Sequence, residues 1–248
     1  MNITNIYVFG FQPAMHAMRN PMESWAKSDS KFYGDSPYYP CVGNTPMQEI
    51  RPSWQGQLLV PEYPLIGPDD LALALKLIKA GPAHRKFMRQ IIVWWNIKIP
   101  RNVWQELDTY KVSTVRNSCS TMHKLGSRDL ELCDFQDEDV DLDVLEEINA
   151  MGDCYRRKVP FTDANPRSST CGKTFEGVKL LHHFKGRLPE HFLQMATYTF
   201  SYETALNMYY DREKHRMPEW SDENGICVHL RSLPYMDRFI AAAAGQRG

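Results

Sequence analysis

The residues with the most chemical potential lie in Pro100 to Leu125, read as PRNVWQELDTYKVSTVRNSCSTMHKL. After a short helix-like opening, this stretch carries Lys111, Ser113, Thr114, Arg116, Asn117, Ser118, Ser120, Thr121 and His123 with few apolar side chains between them. Such a run packs a core poorly, yet it lies between the two most hydrophobic parts of the sequence, so its donors are expected to serve a ligand. A second set, Asn207, Arg212, Lys214, His215 and Arg216, falls in the segment from Ser201 to Trp220, SYETALNMYYDREKHRMPEW. On a helix, Asn207 and Arg212 project roughly 140° apart. They either face different ligands or subunits, or form a charged, solvated helix end, and spacing leaves both readings open. Arginine can hold a phosphate bidentately, while asparagine can hydrogen-bond the edge of a planar heterocycle.

Other chemistries find less support. The eight histidines include no His-x-x-x-His pair, and adjacent His182 and His183 point to different sides of a helix, so no metal site is expected. The six cysteines form no Cys-x-x-Cys pair, and Cys119 reads as a small buried thiol. The acids Asp137, Glu138, Asp139, Asp141 and Asp143 lack the frame of a calcium loop and read as a solvated helix face. Gly172-Lys173-Thr174 ends like a phosphate-binding P-loop, but the first glycine that motif needs would fall at Arg167. Arg19, Asn20, Ser24, Lys27 and Ser28 cluster in MRNPMESWAKSDS (Met18 to Ser30), either as an anion-binding loop or as a plain surface loop.

The elements that must position these residues follow from periodicity and punctuation. Ile6 to Phe9, stopped by Gly10, predicts a first strand. From Met18 to Pro68 the chain is crowded with turn formers and aromatics, as in Tyr38-Tyr39-Pro40, Gly43 to Pro46 and Pro52-Ser53-Trp54, which predicts a packed irregular segment. Pro68-Asp69-Asp70 opens a helix ended by Gly81-Pro82. Ile91, Val93, Trp95, Ile97 and Ile99 alternate with their neighbours as a central strand, and Pro100 supplies the first residue of the helix carrying Val103, Trp104 and Leu107. Asp137 to Arg156 predicts an amphipathic helix with Val140, Val144, Leu145, Ile148 and Met151 inward. Phe161 to Thr174 predicts a loop. The chain then turns helical through Val178, Leu181 and His182, breaks at Gly186 to Pro189 and resumes as helix from Phe192 to Tyr210. Two closing helices carry Ile226, Val228 and Leu230, then Met236, Phe239, Ile240 and Ala241.

At 248 residues and 43% hydrophobic content the chain can bury a large core, and one domain over 1–248 is expected. Its 29 basic and 30 acidic residues nearly cancel, so no global field gathers nucleic acid or an anionic membrane, and no nucleic acid polymer is expected as partner. The first residues, MNITNIYVFGF, lack the features of a signal peptide, and no stretch reaches the length of a membrane span. Reduced thiols and a cytoplasmic setting are the corresponding expectation.

The order of these features resembles the flavin-dependent thymidylate synthases, in a divergent, phage-type form. A Ser-rich polar run follows a strand and a helix, then come Leu188-Pro189, an aromatic Tyr-Thr-bearing segment, Asn207-x4-Arg212 and Trp220. The resemblance extends from about Leu71 to Trp220. It implies an α/β (α+β) fold with a central sheet and flanking helices, a homotetramer, FAD, and a pyrimidine deoxynucleotide monophosphate as substrate, with NADPH and methylenetetrahydrofolate as cosubstrates. Carried over by position, Asn207 matches a flavin-contacting Asn, Ser201 stands where a second one is found, and His84 lies near a flavin-contacting His. Lys111, Ser113 and Asn117 are the run's candidates on the cofactor side. Arg212 matches a nucleotide-binding Arg and is the candidate catalytic residue, polarising a base oxygen. Lys185 or Arg187 stands at another phosphate-binding Arg, Ser118 and Ser120 fall near the nucleotide-binding Ser, and Arg116 and Lys111 add cations for phosphate. The family signature Arg-His-Arg-x-x-Ser-x-Asn-Glu-x-Ser-x-Arg-Tyr is rewritten here as DTYKVSTVRNSCST, Asp108 to Thr121. That implies either methylation of deoxyuridine monophosphate, or hydroxymethylation or hydroxylation of a deoxyuridylate or deoxycytidylate, or a non-catalytic nucleotide-binding or assembly protein on the same scaffold.

Overall fold

A computed structural model describes residues 2–31 and 65–246, so the aromatic stretches Tyr38-Tyr39-Pro40, Gly43 to Pro46 and Pro52 to Trp54 lie outside the described residues. Four strands form one antiparallel sheet in the order β1 (Asn2–Phe9), β2 (Ile92–Pro100), β6 (Leu193–Ser201), β3 (Val115–Ser118). A separate pair, β4 (Phe161–Thr162) and β5 (Thr174–Phe175), closes the loop anticipated from Phe161 to Thr174. Helices flank the sheet, in agreement with the mixed class expected. By contacts the chain forms two compact units, with boundaries inside β2, β3 and β6: Lys98–Asp108 with Asn117–Ala196, and Asn2–Ile97 with Thr109–Arg116 and Thr197–Gly248.

The larger unit holds β1, α1 (Phe11–Arg19), α2 (Pro68–Lys79), α7 (Tyr202–Arg212), α8 (Pro218–Ser221), α9 (Ile226–Arg231) and α10 (Met236–Ala243). On β2, Val93, Trp95 and Ile97 are fully buried while Trp94 is exposed, the alternation expected of an interior strand with one face on the core. Trp95 packs on Phe200 of β6 with ring centroids 4.7 Å apart, and Phe11 meets Tyr202 edge-on at 5.2 Å. Helix α1 escaped the sequence reading, because Pro13 and His16 mask the spacing of Phe11, Ala14, Met15 and Met18 that it buries. Val228 of α9 is exposed, so that helix buries Ile226, Cys227 and Leu230 instead. Burial pushes the Cys227 thiol up to about 12.

The smaller unit holds α3 (Arg101–Leu107), α4 (Thr121–Lys124), α5 (Leu142–Arg157) and α6 (Gly177–Arg187) around Leu145, Ile148, Met151, Leu180, Leu181 and Phe184. Pro100 ends β2 and caps α3 instead of opening it. Helix α5 begins at Leu142 behind an Asp141 cap, later than the acidic run suggested, because Asp137 and Glu138 take positive φ of 54° and 56° and cannot be helical. Val144 and Val178 are exposed, so the inward stripes of α5 and α6 run through other residues. The largest correction is β6: the segment after Phe192, expected as helix, is a strand to Ser201 and becomes helical only at Tyr202. Its Ala196, Tyr198 and Phe200 are buried at period two, and Thr and aromatic residues favour the pleat. Among the described residues no helix is long and apolar enough to cross a membrane.

The polar cluster from Met18 to Ser30 turns inward onto an anion supplied by the chain itself. Arg19 Nε donates to Asp70 Oδ1 at 2.5 Å, and Ser28 Oγ and Ser30 Oγ donate to Oδ2 at 2.6 and 2.5 Å, while Asn20 accepts from Trp25 Nε1. Burial pushes the Asp70 carboxyl up, but these hydrogen bonds and the Arg19 charge outweigh it and hold its pKa below the usual value. A depressed folded pKa means the pair's stabilisation is present above about pH 4 and is lost as pH falls through the lowered value. Asp70→Ala leaves Arg19 buried without its partner and is expected to cost about 3 to 5 kcal/mol in urea unfolding at pH 7. A loss under about 1 kcal/mol would contradict this account.

Candidate functional site

In the larger unit, the turn after α2, the 109–114 turn and the start of α7 enclose a cleft of about 640 Å³. Each wall has a local cause. Gly81, at a φ of 101°, lets the chain leave α2, and the 3-10 turn Lys86–Arg89 follows with Arg85 at its cap. Ser201 caps α7 by accepting from the Thr204 N–H at 3.2 Å, and Thr204 Oγ1 donates to the Val112 carbonyl at 3.1 Å. Beside Val112, Ser113 sits in the left-handed region at a φ of 59°. That contact fixes the 109–114 turn against α7. The first turn of α7 also carries Glu203, only 7% exposed, into which Arg85 donates from Nε at 3.2 Å and Arg89 from Nε and Nη2. Two guanidiniums against one carboxylate leave a single positive charge on this wall. Asn207 and Tyr210, one and two turns further along α7, complete the lining with Ser113 and Ala243.

The far side of α7 is a different environment. Arg212, its last residue, donates to His215 Nε2 at 2.7 Å and to the Tyr110 hydroxyl at 3.4 Å, and lies over Trp220 with 5.1 Å from its guanidinium carbon to the ring centroid. Burial pushes the Tyr110 hydroxyl pKa up, opposed by the hydrogen bond from Arg212. A guanidinium clamped by an aromatic face and two polar rings is held in one orientation.

The smaller unit contains a second cleft, of about 310 Å³, bordered by Lys98, Ser120, Thr121, Lys124, Arg128 and Asp134. Elsewhere in this unit Arg187 donates to Ser168 Oγ at 2.6 Å and to Asp163 Oδ2 at 3.2 Å. Asp163 is 1% exposed, and hydrogen bonding from Ser168 and Thr170, with the Arg187 charge, pulls its carboxyl down to about 2.

No protein-family model and no curated protein matches the sequence. Solved structures do match. Flavin-dependent thymidylate synthase ThyX from Helicobacter pylori, complexed with FAD and dUMP, is 12% identical, with 97% of each chain covered and a TM-score of 0.58. A second structure of ThyX from the same organism, also with FAD and dUMP, is 12% identical over 98% of this chain and 99% of that one, at a TM-score of 0.59. The fold is that of a flavin-dependent thymidylate synthase.

On this thymidylate synthase fold, Asp108 to Thr121 runs from the residue that caps α3 through the 109–114 turn and the edge strand β3 to the first residue of α4. The larger cleft gathers Ser113, Ser201 and Asn207 of the residues anticipated for the cofactor. His84 is exposed in the turn just before Arg85 and is not part of the lining, and Lys111 is exposed two residues before Ser113. Arg116 and Asn117 are exposed on β3, beside half-buried Ser118. Ser120 borders the second cleft, and so does Cys119, which is exposed rather than the buried thiol expected. Lys185 is half-buried on α6, two residues from Arg187, whose fork is engaged by the 163–170 loop. Asn207 and Arg212 do face different surroundings, Asn207 the cleft and Arg212 the aromatic box.

Arg85, Arg89, Glu203, Thr204 and Tyr210 were missed. The usable signal was Ser201-x-x-Thr204 ahead of an apolar run, a helix start that would have placed Glu203 in a first turn. The two arginines differ in depth, which separates their energetics. Glu203→Ala removes the carboxylate that faces Arg85, itself only 6% exposed, and is expected to cost about 3 kcal/mol or more. Arg89→Ala removes the half-exposed partner and should cost less than about 1 kcal/mol. Urea unfolding of the two variants checks the order, and equal losses would refute it.

Proposed function

We propose that this chain is a flavoenzyme that modifies C5 of a pyrimidine deoxynucleotide monophosphate. Methylation of deoxyuridine monophosphate is the default reaction, and hydroxymethylation or hydroxylation of dUMP or dCMP is the variant that the rewritten signature makes room for. The observation carrying this reading is the larger cleft, which sets a paired-arginine wall beside an amide and hydroxyls on a fold whose solved neighbours hold FAD and dUMP.

The cleft suits a dinucleotide cofactor by size and by donor set. About 640 Å³ lies within the range of small-molecule sites. Arg85 and Arg89 would take a pyrophosphate, with Glu203 holding their planes, and Asn207 with Ser113 would meet the edge of a heterocyclic ring. Ser201 contributes by capping α7, since its hydroxyl is taken by Thr204. Bound reduced flavin would supply the electrons, with NADPH as their source and methylenetetrahydrofolate as the source of carbon in the methylating reaction. The chain's own tasks are to bind, orient and polarise. Arg212 is the group for a base oxygen, because its guanidinium is oriented by Tyr110, His215 and Trp220. Assembly as a homotetramer belongs to the same proposal and is read by light scattering. Loss of the Arg-His-Arg triplet at Asp108-Thr109-Tyr110 favours the second reading, a non-catalytic nucleotide-binding or assembly protein.

The visible spectrum of the purified protein separates the two. A bound flavin bleached by NADPH and reoxidised on adding the nucleotide with methylenetetrahydrofolate is the expected result, whereas a colourless protein that takes up no added FAD would rule the flavoenzyme out. Arg212→Ala is expected to weaken nucleotide binding by about 1.5 to 3 kcal/mol, the scale of a hydrogen bond to a charged group. Titration calorimetry with dUMP and dCMP reads this, and unchanged affinity would remove Arg212 from the site.

A further inference from the structure

We infer that the second cleft, in the smaller unit, is a phosphate monoester site whose cations are Lys98, Lys124 and Arg128. None of the three is among the positions that the family resemblance marks. Three cations against the Asp134 carboxylate leave two positive charges on its border. A phosphate monoester carries close to two negative charges at pH 7, whereas a single carboxylate would leave this border half compensated.

The cations divide into one that is anchored and two that remain for a ligand. Arg128 forks onto Asp134, with Nη1 to Oδ2 at 2.7 Å and Nη2 to Oδ1 at 2.6 Å, so it lends charge without a spare fork. Burial pushes the Asp134 carboxyl up, but Arg128's hydrogen bonds, the Glu131 N–H and the charges of Arg128 and Lys98 leave it lowered, which places Lys98 in the same field. Neither Lys98 nor Lys124 forms an ion pair with another described residue, in contrast to Arg187, which is bound to Asp163. Their ammonium groups act as point charges that suit a phosphate oxygen. Hydroxyls of Ser120 and Thr121 stand at the same rim. The rim is also fixed in place: Cys119 N–H donates to the Met195 carbonyl at 2.9 Å, and Gln194 Nε2 donates to the Cys119 carbonyl at 3.0 Å. Phe192 and Met195 give the cleft an apolar wall against which a flat ring can lie. Naming the ligand as the nucleotide substrate rests on the function proposed above, while the phosphate chemistry rests on the cleft itself.

Cys119, exposed at this rim, is a built-in reporter, with exposed Cys171 as an internal control. The full-length protein is alkylated with iodoacetamide in the presence of dUMP, deoxyuridine or inorganic phosphate, and each cysteine's rate is read by peptide mass spectrometry. The expected result is that dUMP and inorganic phosphate slow alkylation of Cys119 but not of Cys171, and that deoxyuridine does neither. Lys98→Ala with Lys124→Ala should weaken this protection by about ten-fold or more, as lost charge-assisted contacts do, with an unchanged melting temperature showing that the fold survives. Protection that persists in the double variant, or that deoxyuridine gives equally well, would overturn the site. A flavin spectrum that responds to dUMP while Cys119 stays unprotected would overturn this inference and leave the proposed function standing. Protection by inorganic phosphate but by no pyrimidine monophosphate would support the anion cleft and count against that function.

Discussion

The larger cleft depends on one buried charge, the carboxylate of Glu203. At the first turn of α7 it is favoured by the positive end of the helix dipole, and it draws in Arg85 and Arg89 from the turn that leads into β2. Burying a carboxylate costs several kcal/mol unless it is paired, so buried Arg85 cannot leave without exposing or neutralising it, while half-exposed Arg89 contributes less. The same turn of α7 is pinned by Ser201 and by Thr204, whose hydroxyl reaches the Val112 carbonyl. One helix start thereby sets the places of a paired-cation wall, of the turn bearing Ser113, and of Asn207 further along. The interaction is electrostatic and local, yet it joins residues far apart in the chain.

How much of this was legible depended on whether the signal was local. β2 was readable because alternating Ile, Val and Trp side chains at period two fit nothing else, and α2 because Pro68, two acids and a closing Gly81 punctuate it. β6 was misread because its apolar residues run straight into those of α7, hiding the point at Ser201 where period two gives way to helical spacing. The acidic approach to α5 was read as helix from Val140 at the head of an apolar stripe and from its charge order, and two residues with positive φ cannot be seen in either. Within the cleft, Ser113, Ser201 and Asn207 were reachable from the sequence through the resemblance. The pairing of Arg85 with Glu203 was not, because it spans 118 positions and only the folded chain creates it.

The arginines illustrate how type alone misleads about role. Arg19 looked like part of an anion loop and instead neutralises Asp70 inside. Arg187, which with Lys185 stands by resemblance at a phosphate-binding position, braces the loop through Asp163 and Ser168. Arg212 is held by an aromatic ring, a phenol and an imidazole, which fix the plane of its guanidinium. What distinguishes a guanidinium that serves the fold from one that can serve a ligand is the identity of its partner, which no spacing rule encodes.

The short edge strand β3 has a consequence for how this sequence can change. It is four residues long, lies at one end of the sheet order, and points Val115, Arg116 and Asn117 into solvent. Substitutions at such exposed positions usually shift stability by no more than about 0.5 kcal/mol. The stretch richest in chemical groups is therefore the one the core depends on least. A lineage could replace these β3 residues one by one without passing through an unfolded ancestor, while α7 and β2 stayed constrained by packing. The scaffold is conservative where it is dry and permissive where it is exposed, so one architecture can carry different surface motifs.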